Sequence, residues 1–237
     1  MAEVIIALDL PDRATALDMV DRLGGEAGFY KVGLELFTSA GPGVVSDLKD
    51  RGKRVFLDLK LHDIPNTVGG AVRSAAALGV DLLTVHAMGG RAMIEAAVEA
   101  AREAGEAKGA SSPRILAVTV LTSLDAKALG AVSGREIYDT RAEVLRLAGL
   151  AVTAGAHGLV ASAREAQALR SSLGDRVLLV TPGIRLRGGD THDQTRVTDP
   201  GGAVRAGSDY LVVGRTITAA PDPAAALGQV RQAMEAE

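Results

Sequence analysis

The sequence predicts a (β/α)8, or TIM, barrel formed as one domain over residues 1–237. Short apolar runs recur at intervals of roughly 25 residues, and each is followed by a segment of helical spacing. There are eight such runs, rich in Val, Ile and Leu with little polar alternation at their centres, as in parallel strands covered on both faces. The length is ordinary for a barrel of this kind, and no linker-like or low-complexity segment divides the chain.

The elements follow in order. The first strand, Val4–Asp9, is followed by a helix whose apolar stripe is Ala14, Leu17, Val20 and Leu23. No G-x-G-x-x-G comes after this strand, which argues against a doubly wound dinucleotide-binding sheet. The second strand, Tyr30–Leu34, places Lys31 among apolar residues. Gly41-Pro-Gly43 then reads as a capping turn at a helix start. In the third strand, Val55–Lys60, Asp58 and Lys60 alternate with Leu57, Leu59 and Leu61, so both charges project to one face. Asp63 follows where the alternation stops, and Pro65 and Asn66 mark the turn into the next helix.

The fourth strand, Leu82–His86, precedes a helix on Ala92, Ile94, Ala97 and Val98. The fifth, Ile115–Leu121, opens a long connection from Thr122 to Thr140 that is expected to hold an extra short helix. A helix on Val144, Leu147, Ala148 and Ala151 comes next. The sixth and seventh strands are Gly158–Ala161 and Val177–Thr181. The connection Pro182–Pro200 is rich in Gly, Arg, Asp and Thr, and long irregular loops of this kind often act as lids. Tyr210–Gly214 closes the set.

Composition removes several classes of function. The net charge of −3 gives no global positive field for nucleic acid or anionic membrane. Aromatic residues are only 3%, with no Trp, which argues against base-stacking platforms. With no cysteine there is no disulfide, thiolate chemistry or Cys-ligated metal. The N-terminus lacks the basic, apolar and cleavage regions of a secretion signal, and no apolar run reaches the roughly 18 residues of a membrane span, so a cytoplasmic protein is expected.

Active sites of such barrels form at the C-terminal strand ends. Those ends here carry Asp9, Lys31, Asp58, Lys60, His86, Thr122, Thr181 with Pro182, and Gly214 with Arg215. An inward Lys31 needs a partner, and Asp9 on the adjacent strand is the candidate. Lys31, Asp58, Lys60 and Asp63 are thus expected to converge as an alternating charge array at one mouth. Gly214 permits close backbone approach and Arg215 supplies a forked cation where barrels often bind phosphate. The seventh loop adds Arg185, Arg187, Gln194 and Arg196, with Arg187 and Arg196 read as solvated charges.

His62 should face away from Lys60 in a packing or supporting role, and His86 fits either a buried, satisfied histidine or a site residue. His157 and His192 carry no signal. No dedicated metal cage is expected, although Asp58 and Asp63 could hold a magnesium ion with waters.

The segment Asp58-Leu-Lys-Leu-His-Asp-Ile-Pro-Asn-Thr67 resembles the signature of the orotidine 5′-monophosphate decarboxylases in their shorter bacterial form. The resemblance extends to Ala7-Leu-Asp9, Lys31-Val-Gly33, Val118–Ser123, Thr181-Pro-Gly-Ile-Arg185, Asp193-Gln194 and Val213-Gly-Arg215. It implies a cofactor-free, metal-free homodimeric barrel that converts orotidine 5′-monophosphate to UMP. It further implies Lys60 as proton donor to C6, Asp58 facing the substrate carboxylate, and Lys31 bridging the array and the ribose. Asp63 and Thr67 would reach the partner's site, and Asp9 would bind ribose. Thr122 and Pro182 would lie near the pyrimidine and the closing loop, with Arg185, Gln194, Gly214 and Arg215 on the phosphate side. One departure is Asp199, which intervenes between Thr198 and Pro200 at the start of the seventh helix.

Two other readings stay open at this stage. A magnesium-dependent 3-keto-L-gulonate 6-phosphate decarboxylase or hexulose 6-phosphate synthase would share Asp-x-Lys-x-x-Asp, but those proteins carry a metal-holding glutamate where this chain has Lys31. A non-catalytic nucleotide-binding barrel could have lost the charge array, yet all four charged residues are present.

Overall fold

A computed structural model describes residues 2–109, 112–186 and 198–235. Eight parallel strands close into a barrel in chain order, β1-β2-β3-β4-β5-β6-β7-β8. They are β1 (Glu3–Ala7), β2 (Phe29–Gly33), β3 (Arg54–Leu61), β4 (Leu82–His86), β5 (Arg114–Val118), β6 (Gly158–Val160), β7 (Leu178–Thr181) and β8 (Tyr210–Val213). The helices on the outside are α1 (Arg13–Leu23), α2 (Leu34–Ala40), α3 (Gly43–Asp50), α4 (Pro65–Ala77), α5 (Gly90–Lys108), α6 (Ala126–Ser133), α7 (Thr140–Thr153), α8 (Ala163–Leu173), α9 (Pro200–Arg205), α10 (Arg215–Thr218) and α11 (Pro223–Glu235). The expected extra helix after the fifth strand is α6. No helix among the described residues is long and apolar enough to cross a membrane.

The period of two divides the core into two layers. Ile5, Ala7, Phe29, Phe56, Leu82, Leu116, Val180 and Val212 fill the barrel interior, with Val160, Leu178 and Tyr210 packed against them. Their neighbours Ile6, Leu8, Tyr30, Val32, Val55, Leu57, Leu83 and Val85 face the helices. Phe29 meets Tyr210 edge to face at 5.7 Å, and the Arg54 guanidinium lies 4.3 Å from the Phe29 ring centre while pairing with Glu3. Aromatic and aliphatic bulk therefore plugs the N-terminal end of the barrel and leaves the C-terminal end open for chemistry.

Short polar side chains fix several helix starts. Asp12, Asp125, Asp139, Ser162 and Asp199 accept from backbone N–H groups in the first turns of α1, α6, α7, α8 and α9. Asp199, the departure from the family pattern, is thus a helix cap. Gly41, at φ 66°, ends α2 and Pro42 precedes α3, so Gly41-Pro-Gly43 joins two helices as a capping turn.

Two expected helix faces are rotated. On α1, Ala16, Met19, Val20 and Leu23 are buried, whereas Ala14 is exposed and Leu17 only half-buried. On α5, Met93 takes the buried place expected of Ala92. A methionine covers far more apolar area than an alanine, so it sets the direction of the face.

One arrangement recurs three times at the N-terminal rim. The Asp81 carboxylate accepts from Val55 N at 2.8 Å, the Asp209 carboxylate from Leu179 N at 2.7 Å, and His157 Nδ1 from Ile115 N at 3.0 Å. Each acceptor precedes an even-numbered strand and satisfies an N–H near the start of the strand before it.

Candidate active site

A cavity of about 500 Å³ opens at the C-terminal ends of the strands. Ala7, Phe56, Val160 and Val212 from the barrel interior line it, together with Asp9, Lys31, Asp58, Lys60, Thr122, Pro182, Arg185, Gly214 and Arg215. Nine of the residues singled out in the sequence therefore share one space. The same parity that buries Phe29, Phe56 and Val212 carries Lys31, Asp58 and Gly214 two residues further along each strand, into the mouth.

Lys31 and Asp58 are each only 8% exposed. Lys31 Nζ donates to Asp9 Oδ1 at 2.7 Å and lies 3.7 Å from Asp58 Oδ2. Lys60 Nζ donates to both oxygens of Asp58 at 2.9 Å. The order Asp9–Lys31–Asp58–Lys60 is thus an alternating chain in which each lysine meets a carboxylate. Buried charges of this kind persist only when paired.

The strand does not reach Lys60 as regular β structure. Lys60 has φ 51°, the sole positive value outside glycine among the described residues. The β3–β4 register also shifts between Leu57 and Leu61. Asp58 and Lys60 share a face as expected, but through a kink rather than simple alternation. A left-handed backbone costs a non-glycine residue roughly 1–2 kcal/mol. Hydrogen bonds to charged groups contribute about 1.5–3 kcal/mol each, so the two bonds to Asp58 suffice to hold the kink.

Asp63 and Thr67 are exposed and do not line the cavity. Asp63 Oδ1 instead accepts from Ile64 N at 2.6 Å. Gln194, Arg187, Arg196 and His192 lie outside the described residues. Arg185 is buried beside the cavity and donates to the Ile184 carbonyl at 2.8 Å. Ile184 pairs with Thr198, so the residues flanking this part of the seventh connection meet. Arg215 opens α10 directly after Gly214.

His62 stacks on His86 with ring centres 5.4 Å apart, in keeping with a packing role. Burial, then the charges of His62 and Lys60, hold the His86 imidazole below its ordinary pKa. Sequence reasoning missed Gly33 and Thr84. A Cβ on Gly33 would stand 2.8 Å from Lys31 Nζ and 3.1 Å from Asp9 Oδ1, so its bareness makes room for that ion pair. Thr84, fully buried in β4, bonds to both Asp58 and Lys60.

Fold and site together define a (β/α)8 barrel with an alternating lysine–aspartate array at the C-terminal mouth. Comparison with known proteins makes this particular. A family model described as orotidine 5′-phosphate decarboxylase / HUMPS family matches residues 2–230. A relative named orotidine 5′-phosphate decarboxylase from Moorella thermoacetica is 52% identical over 98% of this chain and 92% of its own. One of the same name from Anaeromyxobacter dehalogenans is 53% identical over 94% of both chains. The crystal structure of orotidine 5′-phosphate decarboxylase from Lactobacillus acidophilus matches with a TM-score of 0.88 and 39% identity, covering 100% of both chains. The chain belongs to the orotidine 5′-phosphate decarboxylase / HUMPS family.

Proposed function

We propose that this chain decarboxylates orotidine 5′-monophosphate to UMP and carbon dioxide, with Lys60 delivering the proton to C6 of the pyrimidine. The observation that carries the reading is the Lys60 ammonium held at 2.9 Å from both oxygens of Asp58, inside a cavity that also contains Arg215. The bond between C6 and the carboxylate carbon breaks with its electron pair left on C6, and carbon dioxide departs. That pair lies in the ring plane, where the π system delocalises it poorly, so a fixed cation must stabilise it. Lys60 supplies that charge and then the proton, and recovers its own proton from water.

Asp58 faces the departing carboxylate, and its repulsion eases as charge leaves. Lys31 joins the array to the ribose, which Asp9 also binds. Thr122 and Pro182 flank the pyrimidine. Arg185, Gly214 and Arg215, with Gln194 outside the described residues, serve the phosphate end, whose binding energy holds the charged groups together. A homodimer completes the site with Asp63 and Thr67 from the partner. In support, both residues are exposed outside their own cavity. The exposed apolar residues Leu34, Ile64, Met88 and Leu121 stand just beyond the ends of β2, β3, β4 and β5 on the same side of the barrel.

The magnesium-dependent branch of the family is disfavoured by Lys31, whose ammonium occupies the end of β2 and would repel a metal there. The test is the disappearance of orotidylate absorbance on adding EDTA-treated enzyme. Full turnover is the expected result. Turnover that returns only with added magnesium would overturn this reading.

A further inference from the structure

Thr84 is a polar side chain set inside the barrel below the charge array. It follows Leu82 on the inward face of β4, is 0% exposed, and does not line the cavity. Its Oγ1 lies 2.9 Å from Lys60 N and 3.0 Å from Asp58 Oδ1. The direction of both bonds is forced. A backbone N–H can only donate, so Oγ1 accepts from Lys60, and an ionised carboxylate can only accept, so the hydroxyl proton goes to Asp58.

Thr84 also sits where the β3–β4 ladder loses its register. Leu83 pairs with Leu57 and Val85 with Leu61, so two residues of β4 span four of β3. The Lys60 N–H, turned by φ 51°, finds the Thr84 hydroxyl in place of a ladder carbonyl. One hydroxyl therefore fixes both ends of the Asp58–Lys60 pair: the main chain of the lysine and the carboxylate of the aspartate.

We propose that Thr84 is a positioning residue for decarboxylation, holding the Lys60 backbone and the Asp58 carboxylate in register through its hydroxyl. This rests on the reading of Lys60 as proton donor. Lys60 and Asp58 line the cavity and Thr84 does not, so loss of the hydroxyl acts on turnover more than on binding.

The test compares Thr84→Val, nearly the same shape without the hydroxyl, with Thr84→Ser, which keeps it. Turnover, KM for orotidine 5′-monophosphate, the Kd of UMP and thermal melting are measured for each. A misplacement of the order of an ångström costs about tenfold to hundredfold in rate. The expected result is a kcat loss of that size in Thr84→Val, with the Kd of UMP within about twofold of the parent, and Thr84→Ser within about threefold in kcat. Should Thr84→Val fail to fold, Thr84→Ala against Thr84→Ser isolates the hydroxyl in the same way.

Three results would overturn the proposal: unchanged kcat without the hydroxyl, a serine variant as slow as the one lacking it, or parallel losses of kcat and UMP affinity. Lys60→Ala, run alongside, separates the two claims. If it is inactive while Thr84→Val is fully active, only the role of Thr84 falls; if it is itself active, the proton-donor reading falls first.

Discussion

Lys60 grips Asp58 through two hydrogen bonds of 2.9 Å while its own backbone stands at φ 51°. The ion pair and the strained main chain are one feature. A regular strand would carry the lysine past the carboxylate, and the kink brings the ammonium back over it. Strain of this sort persists where the surroundings over-determine it, and here the surroundings are Asp58, Thr84 and the broken β3–β4 register.

The second lysine depends on an empty space. Gly33 has an ordinary φ of −95°, so alanine is permitted by the backbone, but its Cβ would stand 2.8 Å from Lys31 Nζ. The flexible amine can move aside at little cost to the fold. Gly33→Ala should therefore lower kcat/KM by about tenfold or more while melting within about 3 °C of the parent. Steady-state kinetics and calorimetry check both halves; a large loss of stability with intact kinetics would contradict the assignment.

Arg215 should distinguish a nucleotide from a nucleoside. It begins α10 at the cavity wall, and a guanidinium matches phosphate geometry through paired donors. Arg215→Ala is expected to weaken UMP by at least about a hundredfold and uridine by less than about threefold. Calorimetric titration with both ligands decides, and equal losses would count against phosphate recognition.

Much of this was legible in the sequence. Period-two alternation put Asp58 on the inner face, and the adjacency of the first two strands named Asp9 as the partner of Lys31, a contact of 2.7 Å. The kink at Lys60 was not legible, because alternation presumes a regular strand. Thr84 was hidden because one threonine within Leu-Leu-Thr-Val-His reads as core filling. The α1 and α5 faces were misjudged because alanine fits either side of a helix, and Met19 and Met93 decided the matter by size.

Stability should fall on mild acidification. His157 must keep Nδ1 unprotonated to accept from Ile115 N, and burial of that edge, then the charge of Arg114, depresses its pKa below the usual 6.5. A depressed value means that the unfolded chain takes up the proton first. The stabilisation is therefore complete above about pH 6.5 and is lost as the pH falls through the folded-state value. His86, also depressed, acts with the same sign. Melting temperatures should decline from about pH 7.5 to 5.5, and His157→Asn, which keeps an acceptor that does not titrate, should flatten the decline. An unchanged slope would contradict this role.

The proposed homodimer makes an arithmetic prediction. If Asp63 serves the partner's site, a hybrid of one Asp63→Ala chain and one Lys60→Ala chain contains one intact site and one doubly altered site. Equal mixing with free exchange makes half the dimers hybrids, so about a quarter of wild-type activity should return. No recovery, with exchange verified by mass spectrometry, would place Asp63 at its own chain's site.

Lys60 carries the proposed reaction. The most direct measurement is the turnover of orotidine 5′-monophosphate by Lys60→Ala, paired with titration of the same preparation by UMP. Turnover should fall by at least about a thousandfold, since charge stabilisation and the proton are lost together, while UMP binds within about tenfold of the parent. Near-normal turnover in a variant that binds UMP normally would contradict the central claim.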